Sequence, residues 1–358
     1  MSELLVFLLV AVIIIVAAKA SGYASMRLGQ PSVLGELLVG LVLGPTVLNL
    51  LAWPLFAGDS HLTGSLTLFA EIGVLLLMFL AGLELELHEL VKSGNVAALS
   101  GTLGVIVPLA GGFGLARLFG ADTAEAAFIG LALSATSVSI SAQTLMELGV
   151  LRSRVGIGLL GAAVFDDILV ILLLSAASVL LGGEGGGGNV GLILLRMALF
   201  LAVAIPVGLF VLPRLLEVVS DLPISQGVTA FALVTCFLFA WASEALGGVA
   251  AITGAFLAGL MLARTAHVSE IESGIAALAY GLFVPVFLVN IGLQANLRDI
   301  SGSAWVFALV LTLFAILSKL IGSGLGALIA GFNRLDALRL GVGMVSRGEV
   351  GLIVASVA

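Results

Sequence analysis

Two adjacent carboxylates, Asp166 and Asp167, stand near the middle of an apolar run from about Val155 to Leu181. That run is long enough to cross a bilayer as a helix. One ionised Asp at such depth costs on the order of 3 kcal/mol, and a chain that keeps two uses them. Successive residues of a helix point about 100° apart, so the two carboxylates cannot serve one purpose. One can face a cation while its neighbour faces a water-filled cavity. The candidate cation is Lys319 in Leu317-Ser-Lys-Leu-Ile321. It lies roughly 24 Å along the eleventh apolar run, taking about 1.5 Å of rise per residue. At that depth it either pairs with an Asp of the dyad or snorkels to the interface.

Two further stretches carry polar groups inside apolar runs. The first is Ser134-Ala-Thr136-Ser137-Val-Ser139-Ile-Ser141-Ala-Gln143. Its hydroxyls either bond back to their own helix or mark an unwound segment whose carbonyls and hydroxyls can coordinate a hard cation. The second is Ser346-Arg347-Gly-Glu349-Val-Gly351, with a helix-weakening glycine and both charge signs. Two interrupted helices at equivalent places point to a site between them. Arg347 and Glu349 can instead form a structural ion pair. Glu36 and Glu71 also lie within apolar runs, as members of a pathway or of buried pairs; Asn290 reads as a packing hydrogen bond.

The elements that must position these groups are membrane helices. The 358 residues are 61% hydrophobic and 10% charged, with mean hydropathy +1.29, which excludes a water-soluble fold. The 46 glycines suit close helix packing in a membrane. A net charge of −7 argues against nucleic acid. The single Cys236 excludes intramolecular disulfides, and His61, His88 and His267 are scattered, which makes a histidine metal cluster a poor expectation. Twelve apolar runs are expected, near 3–20, 33–51, 62–83, 96–118, 124–148, 155–181, 190–212, 227–243, 246–263, 275–293, 302–330 and 336–358. The first has Glu3 rather than a basic start and no clear cleavage site, so it reads as a membrane helix and not a signal peptide. One set of alternate connections holds Lys19, Arg27, Lys92, Arg152, Arg154, Arg214, Arg264, Arg334 and Arg339; the other holds Arg117, Arg196 and Arg298. The first set should be cytoplasmic, which puts the N-terminus outside. Gly182–Asn189 lacks the lysine of a phosphate loop and reads as a flexible external linker.

There is an internal repeat. Gly35-Glu-Leu-Leu-Val-Gly40-Leu-Val-Leu-Gly44 resembles Gly254-Ala-Phe-Leu-Ala-Gly259-Leu-Met-Leu-Ala263, and Phe79–Leu87 resembles Val289–Leu297. Seven spans separate each pair, so the copies run in opposite directions, which is the inverted repeat of secondary transporters. On this scheme the partner of the sixth span falls past residue 358. We therefore expect a final core helix to be missing, leaving an apolar groove beside the sixth span.

Gly35–Pro45, Gly82-Leu-Glu84, Ser134–Ser139, Val164-Phe-Asp-Asp167 and Ser346–Gly351, in this order, resemble the monovalent cation:proton antiporter-2 family. The chain is most similar there to NapA-type sodium/proton antiporters, with Kef-type potassium systems as relatives. The resemblance implies an all-α polytopic membrane protein with the inverted-repeat sodium/proton antiporter fold and two crossing unwound helices. It implies thirteen helices, of which twelve are visible, and a homodimer in the cell membrane with two domains. These are a core around 96–181 and 302–358 and a dimerisation scaffold around 1–51 and 190–263. By position Asp167 resembles the ion- and proton-binding carboxylate and the Na⁺ ligand, and Asp166 the partner of Lys319. Thr136, Ser137 and Ser139 match the unwound helix. The pattern Asp-Asp plus Lys implies electrogenic exchange, and the reading as a whole is an elevator-type antiporter of Na⁺ for H⁺, with no cofactor. The alternatives are exchange of K⁺ (or Li⁺), a Kef-like gated potassium efflux system, and a membrane aspartyl protease. The protease is disfavoured because its two Asp would stand on separate helices.

Overall fold

A computed structural model describes residues 2–56, 61–180, 190–299, 302 and 304–347. In chain order the helices are α1 (Glu3–Arg27), α2 (Ser32–Leu43), α3 (Leu62–Leu83), α4 (Leu87–Lys92), α5 (Gly94–Leu118), α6 (Thr123–Ser134), α7 (Val138–Glu147) and α8 (Arg154–Leu180). There follow α9 (Val190–Pro206), α10 (Leu212–Ser220), α11 (Gly227–Ala242), α12 (Ala251–Leu262), α13 (Val268–Leu278), α14 (Val284–Gln294), α15 (Ala304–Ile329) and α16 (Arg334–Gly343). Among the described residues nine helical stretches are long and apolar enough to cross a membrane, and α2 and α12 are shorter apolar helices. These account for eleven of the twelve expected runs. The twelfth begins as α16, and its remainder, with Glu349, falls in 348–358, outside the described residues. The expected groove beside the sixth span depends on that stretch too. The Gly182–Asn189 linker also lies outside them.

The helices outrun the apolar pattern where polar residues continue a turn. The first extends to Arg27, past Lys19, and the tenth starts at Val268, before its apolar part. Three spans contain a widened π turn, at Val207–Val211, Ser243–Gly247 and Ala279–Phe283, and the first and third end two residues before a proline, Pro213 and Pro285. Proline has no N–H to return to the preceding turn, and the helix widens rather than breaks.

Successive spans alternate in direction, so their ends fall on two faces. The near face holds the start of α1 and the far face its end. The repeat is visible in how backbones touch. A Cβ on Gly40 of α2 would stand 2.3 Å from the Val289 carbonyl of α14, and one on Gly259 of α12 would stand 2.0 Å from the Phe79 carbonyl of α3. These are the same contact, since Gly40 aligns with Gly259 and Phe79 with Val289. Gly35 meets Ser21 of α1, and its counterpart Gly254 meets Phe239 of α11, each at 2.2 Å. Small residues let these helices approach closely without a hydrophobic driving force.

Two packing groups result. In one, α5 lies against α6, α8 and α15, and α16 lies on α15 and α8. In the other, α2 packs on α1 and α14, α3 on α12 and α14, and α11 on α12. Thus α3 and α14, which the domain expectation did not assign, pack with helices expected to form the scaffold. Cys236, on α11, is buried in this second group, with its thiol 3.8 Å from the Leu75 carbonyl.

Candidate functional site

The hydroxyl-rich stretch breaks its helix. α6 ends at Ser134, Ala135 and Ser137 are extended, and α7 restarts at Val138 with the Ser137 hydroxyl as its N-cap. Serine and threonine favour such breaks because their side chains compete for backbone groups. α16 ends at Gly343, and the chain leaves the helix before Arg347. The two breaks meet. Ser137 N–H donates to the Ser346 carbonyl at 3.0 Å, and Ser346 Oγ donates to the Ser137 carbonyl at 2.9 Å. Ser141 Oγ lies 2.8 Å from the Gly343 carbonyl and 2.7 Å from Ser346 Oγ.

The carbonyls freed at the end of α6 are satisfied by cations. Lys319 Nζ donates to the Ser134 carbonyl, and Arg347 Nη2 donates to the Leu133 carbonyl at 2.7 Å. Arg347 Nη1 also donates to the Val345 carbonyl at 3.1 Å, just past the end of α16. A helix C-terminus carries partial negative charge, so two fixed cations beside it are well placed. The partners found for Arg347 are therefore carbonyls, and the expected alternative, Glu349, lies outside the described residues.

On α8 the two carboxylates diverge as their angular separation requires. Asp166 is fully buried; its Oδ2 lies 2.9 Å from Lys319 Nζ and accepts from Thr136 Oγ1. Lys319 is equally buried, so it does not snorkel. Asp167 faces another way, with Val170, Ile171 and Leu174 of the same helical stripe, onto a cavity of about 1060 Å³ between α8 and helices α3, α11 and α14. Thr67 of α3, Glu244 beyond α11 and Gln294 of α14 also line it, so it opens toward the near face. Ser137 and Ser139 are buried beside the break, 3.1 Å apart through their hydroxyls. Asn290 lines the cavity and is buried.

The far face is built differently. Glu147, ending α7, accepts from the Ser32 N–H and Ser32 Oγ, both at 2.6 Å, and so caps the first turn of α2. Gln143 Nε2 donates to the same carboxylate at 2.9 Å. A separate pocket of about 520 Å³ lies here, lined by Lys19, Glu36, Glu84, Glu147 and Tyr280 among others, and it does not include Asp167. Glu36 is buried 3.6 Å from Lys19. Burial holds Glu84, just past the end of α3, above the ordinary carboxylate range, with Arg152 opposing. Sequence reasoning missed the Glu147–Ser32 contact. The two residues are 115 positions apart, and a Ser or Glu at a helix end carries no sign of its distant partner.

This arrangement defines a class: polytopic membrane proteins of inverted-repeat architecture, in which two interrupted helices meet beside a buried carboxylate pair. The chain matches, over residues 7–358, the family described as sodium/hydrogen exchanger, transmembrane. It is 41% identical over 345 residues to the probable Na(+)/H(+) antiporter GerT of Bacillus cereus, spanning 96% of this chain and 88% of the relative. It is 42% identical over 343 residues to the Na(+)/H(+)-K(+) antiporter GerN of Bacillus cereus, spanning 96% and 85%. The solved structure of the sodium proton antiporter MjNhaP1 from Methanocaldococcus jannaschii at pH 8 shares the fold, with TM-score 0.70 at 19% identity over 99% of this chain and 86% of that one. The chain belongs to the sodium/hydrogen exchanger family, whose members it resembles in both sequence and fold.

Proposed function

We propose that this chain exchanges Na⁺ for H⁺ across a cell membrane, and that Asp167 is the carboxylate for which the two ions compete. The observation that carries the reading is the division of labour on α8: Asp166 is held by Lys319 and Thr136, while Asp167 faces the near-face cavity. A carboxylate that holds either a proton or a sodium ion, never both, couples the two fluxes. Its loaded form crosses a low-dielectric barrier at less cost than its bare anion. The relatives' names support sodium and protons as the exchanged ions.

The movement we propose is of elevator type. The group α5, α6, α7, α8, α15 and α16 carries the site past the group containing α1, α2, α3, α11, α12 and α14, which acts as the scaffold of a homodimer with its N-terminus outside. Support comes from the open near-face cavity and from the far-face contact of Glu147 with Ser32, which holds the two groups together on the closed side. Exchange is electrogenic on this reading, because Asp166 and Lys319 hold a charge pair that responds to ion binding beside it.

The test is exchange in proteoliposomes, read by a pH dye, with Na⁺, Li⁺ and K⁺ in turn. Asp167→Asn should abolish cation-driven proton movement and leave the melting temperature within a few degrees of wild type. Wild-type rates in that variant would remove Asp167 from the mechanism. Potassium is included because the name of GerN carries it; a larger response to K⁺ than to Na⁺ would make potassium the principal cation.

A further inference from the structure

Glu36 and Glu71 both lie inside apolar stretches, and the structure separates their fates. Glu36 is buried against Lys19 at 3.6 Å, as a carboxylate kept for packing would be. Glu71 is exposed, and among the described residues no cation or side-chain donor holds it. It lies near the middle of α3, between Ala70 and Val74, on the stripe that faces the near-face cavity. The side chain is thus exposed on the cavity wall. The cavity it faces has Asp167 in its wall and otherwise mostly apolar lining, with Glu244 as the one other charged group among the described lining residues.

We propose that Glu71 is the loading residue of the near-face route: it draws a cation into the cavity and passes it to Asp167. This inference rests on the cation-exchange reading above. The physics is local. A negative group in a cavity with low-dielectric walls focuses its field along the water-filled part and raises the cation concentration there. Glu71 sits within that part and Glu244 beyond the end of α11, so a cation entering meets carboxylates in succession before Asp167. Because Glu71 is attached to α3 and Asp167 to α8, the attraction operates only while the cavity joins the two helices. It therefore serves one face of the cycle. Glu71 is a positioning residue for the ion on its way in and takes no part in the proton exchange at Asp167.

The experiment compares wild type, Glu71→Gln and Glu71→Asp in right-side-out and inside-out membrane vesicles, with sodium dependence measured from each side at low ionic strength. Glu71→Gln should raise the half-saturating sodium concentration about three- to tenfold when sodium is supplied at the near face. It should leave the maximal rate within about twofold and the far-face half-saturation unchanged. The difference should shrink when ionic strength is raised with an organic cation, since screening removes it. Glu71→Asp should restore most of the effect, and the melting temperature should be the same in all three proteins. An unchanged near-face half-saturation, or an equal change from both faces, would overturn the inference and leave antiport standing. No exchange in wild type would overturn both, because the loading role would then have no reaction to serve.

Discussion

Without the Lys319 ammonium, Asp166 would keep the Thr136 hydroxyl as its one described side-chain hydrogen bond, in a position with no solvent exposure. Breaking a buried ion pair from one side costs on the order of 3 kcal/mol, because the other charge stays buried. Lys319→Gln should therefore lower the melting temperature in detergent clearly. The double variant Asp166→Asn with Lys319→Gln should recover much of the loss, since no lone charge remains. A double variant no more stable than Lys319→Gln would mean that Lys319 contributes mainly through the Ser134 carbonyl. At this scale the sequence was informative about type and direction. Neighbouring aspartates on a helix must diverge, and a mid-run lysine needs an anion. Which aspartate took the lysine came only with the family resemblance. The separate fates of Glu36 and Glu71 were not legible, because they depend on what lies opposite: Lys19 in one case and a cavity in the other.

Between elements, close backbone contact is the controlling feature. Gly259→Ala would set a methyl group 2.0 Å from the Phe79 carbonyl, which belongs to a helix that cannot yield alone. We expect a marked fall in melting temperature or a loss of folded protein. Gly64→Ala, near the start of α3 with nothing within 4 Å, should be neutral or mildly stabilising, because alanine favours helix over glycine. A loss from Gly64→Ala as large as that from Gly259→Ala would mean that the close contact at Phe79 is not what makes Gly259 necessary. The Glu147–Ser32 contact is the element-scale counterpart of the proposed movement. Glu147→Gln should weaken the hold on the first turn of α2, and hydrogen–deuterium exchange there should quicken. Unchanged exchange would mean that apolar packing alone closes the far face. The apolar runs and the break at Ala135–Ser137 could be read from composition and hydroxyl density. The π turns could not, since a proline in a long run announces a distortion without its form. The repeat could be read only because glycines survive in both copies where backbones touch.

For the whole molecule, the proposed charge pair on a moving core makes transport sensitive to voltage. Crossing a full membrane potential changes the energy of one charge by about 2.3 kcal/mol per 100 mV, so an imposed potential should alter the exchange rate several-fold. A rate indifferent to potential, with Lys319 intact, would make the exchange electroneutral. One quiet feature has a practical use in following such a cycle. Cys236 is the chain's one cysteine and has no solvent exposure within the packed helices. A water-soluble maleimide finds no exposed thiol to modify in this folded chain. The unaltered sequence is thus a blank background for labelling. A cysteine introduced at Ile171, in the near-face cavity, or at Met146, in the far-face pocket, would be the one exposed thiol of this chain. The rate at which each is labelled would report which face stands open.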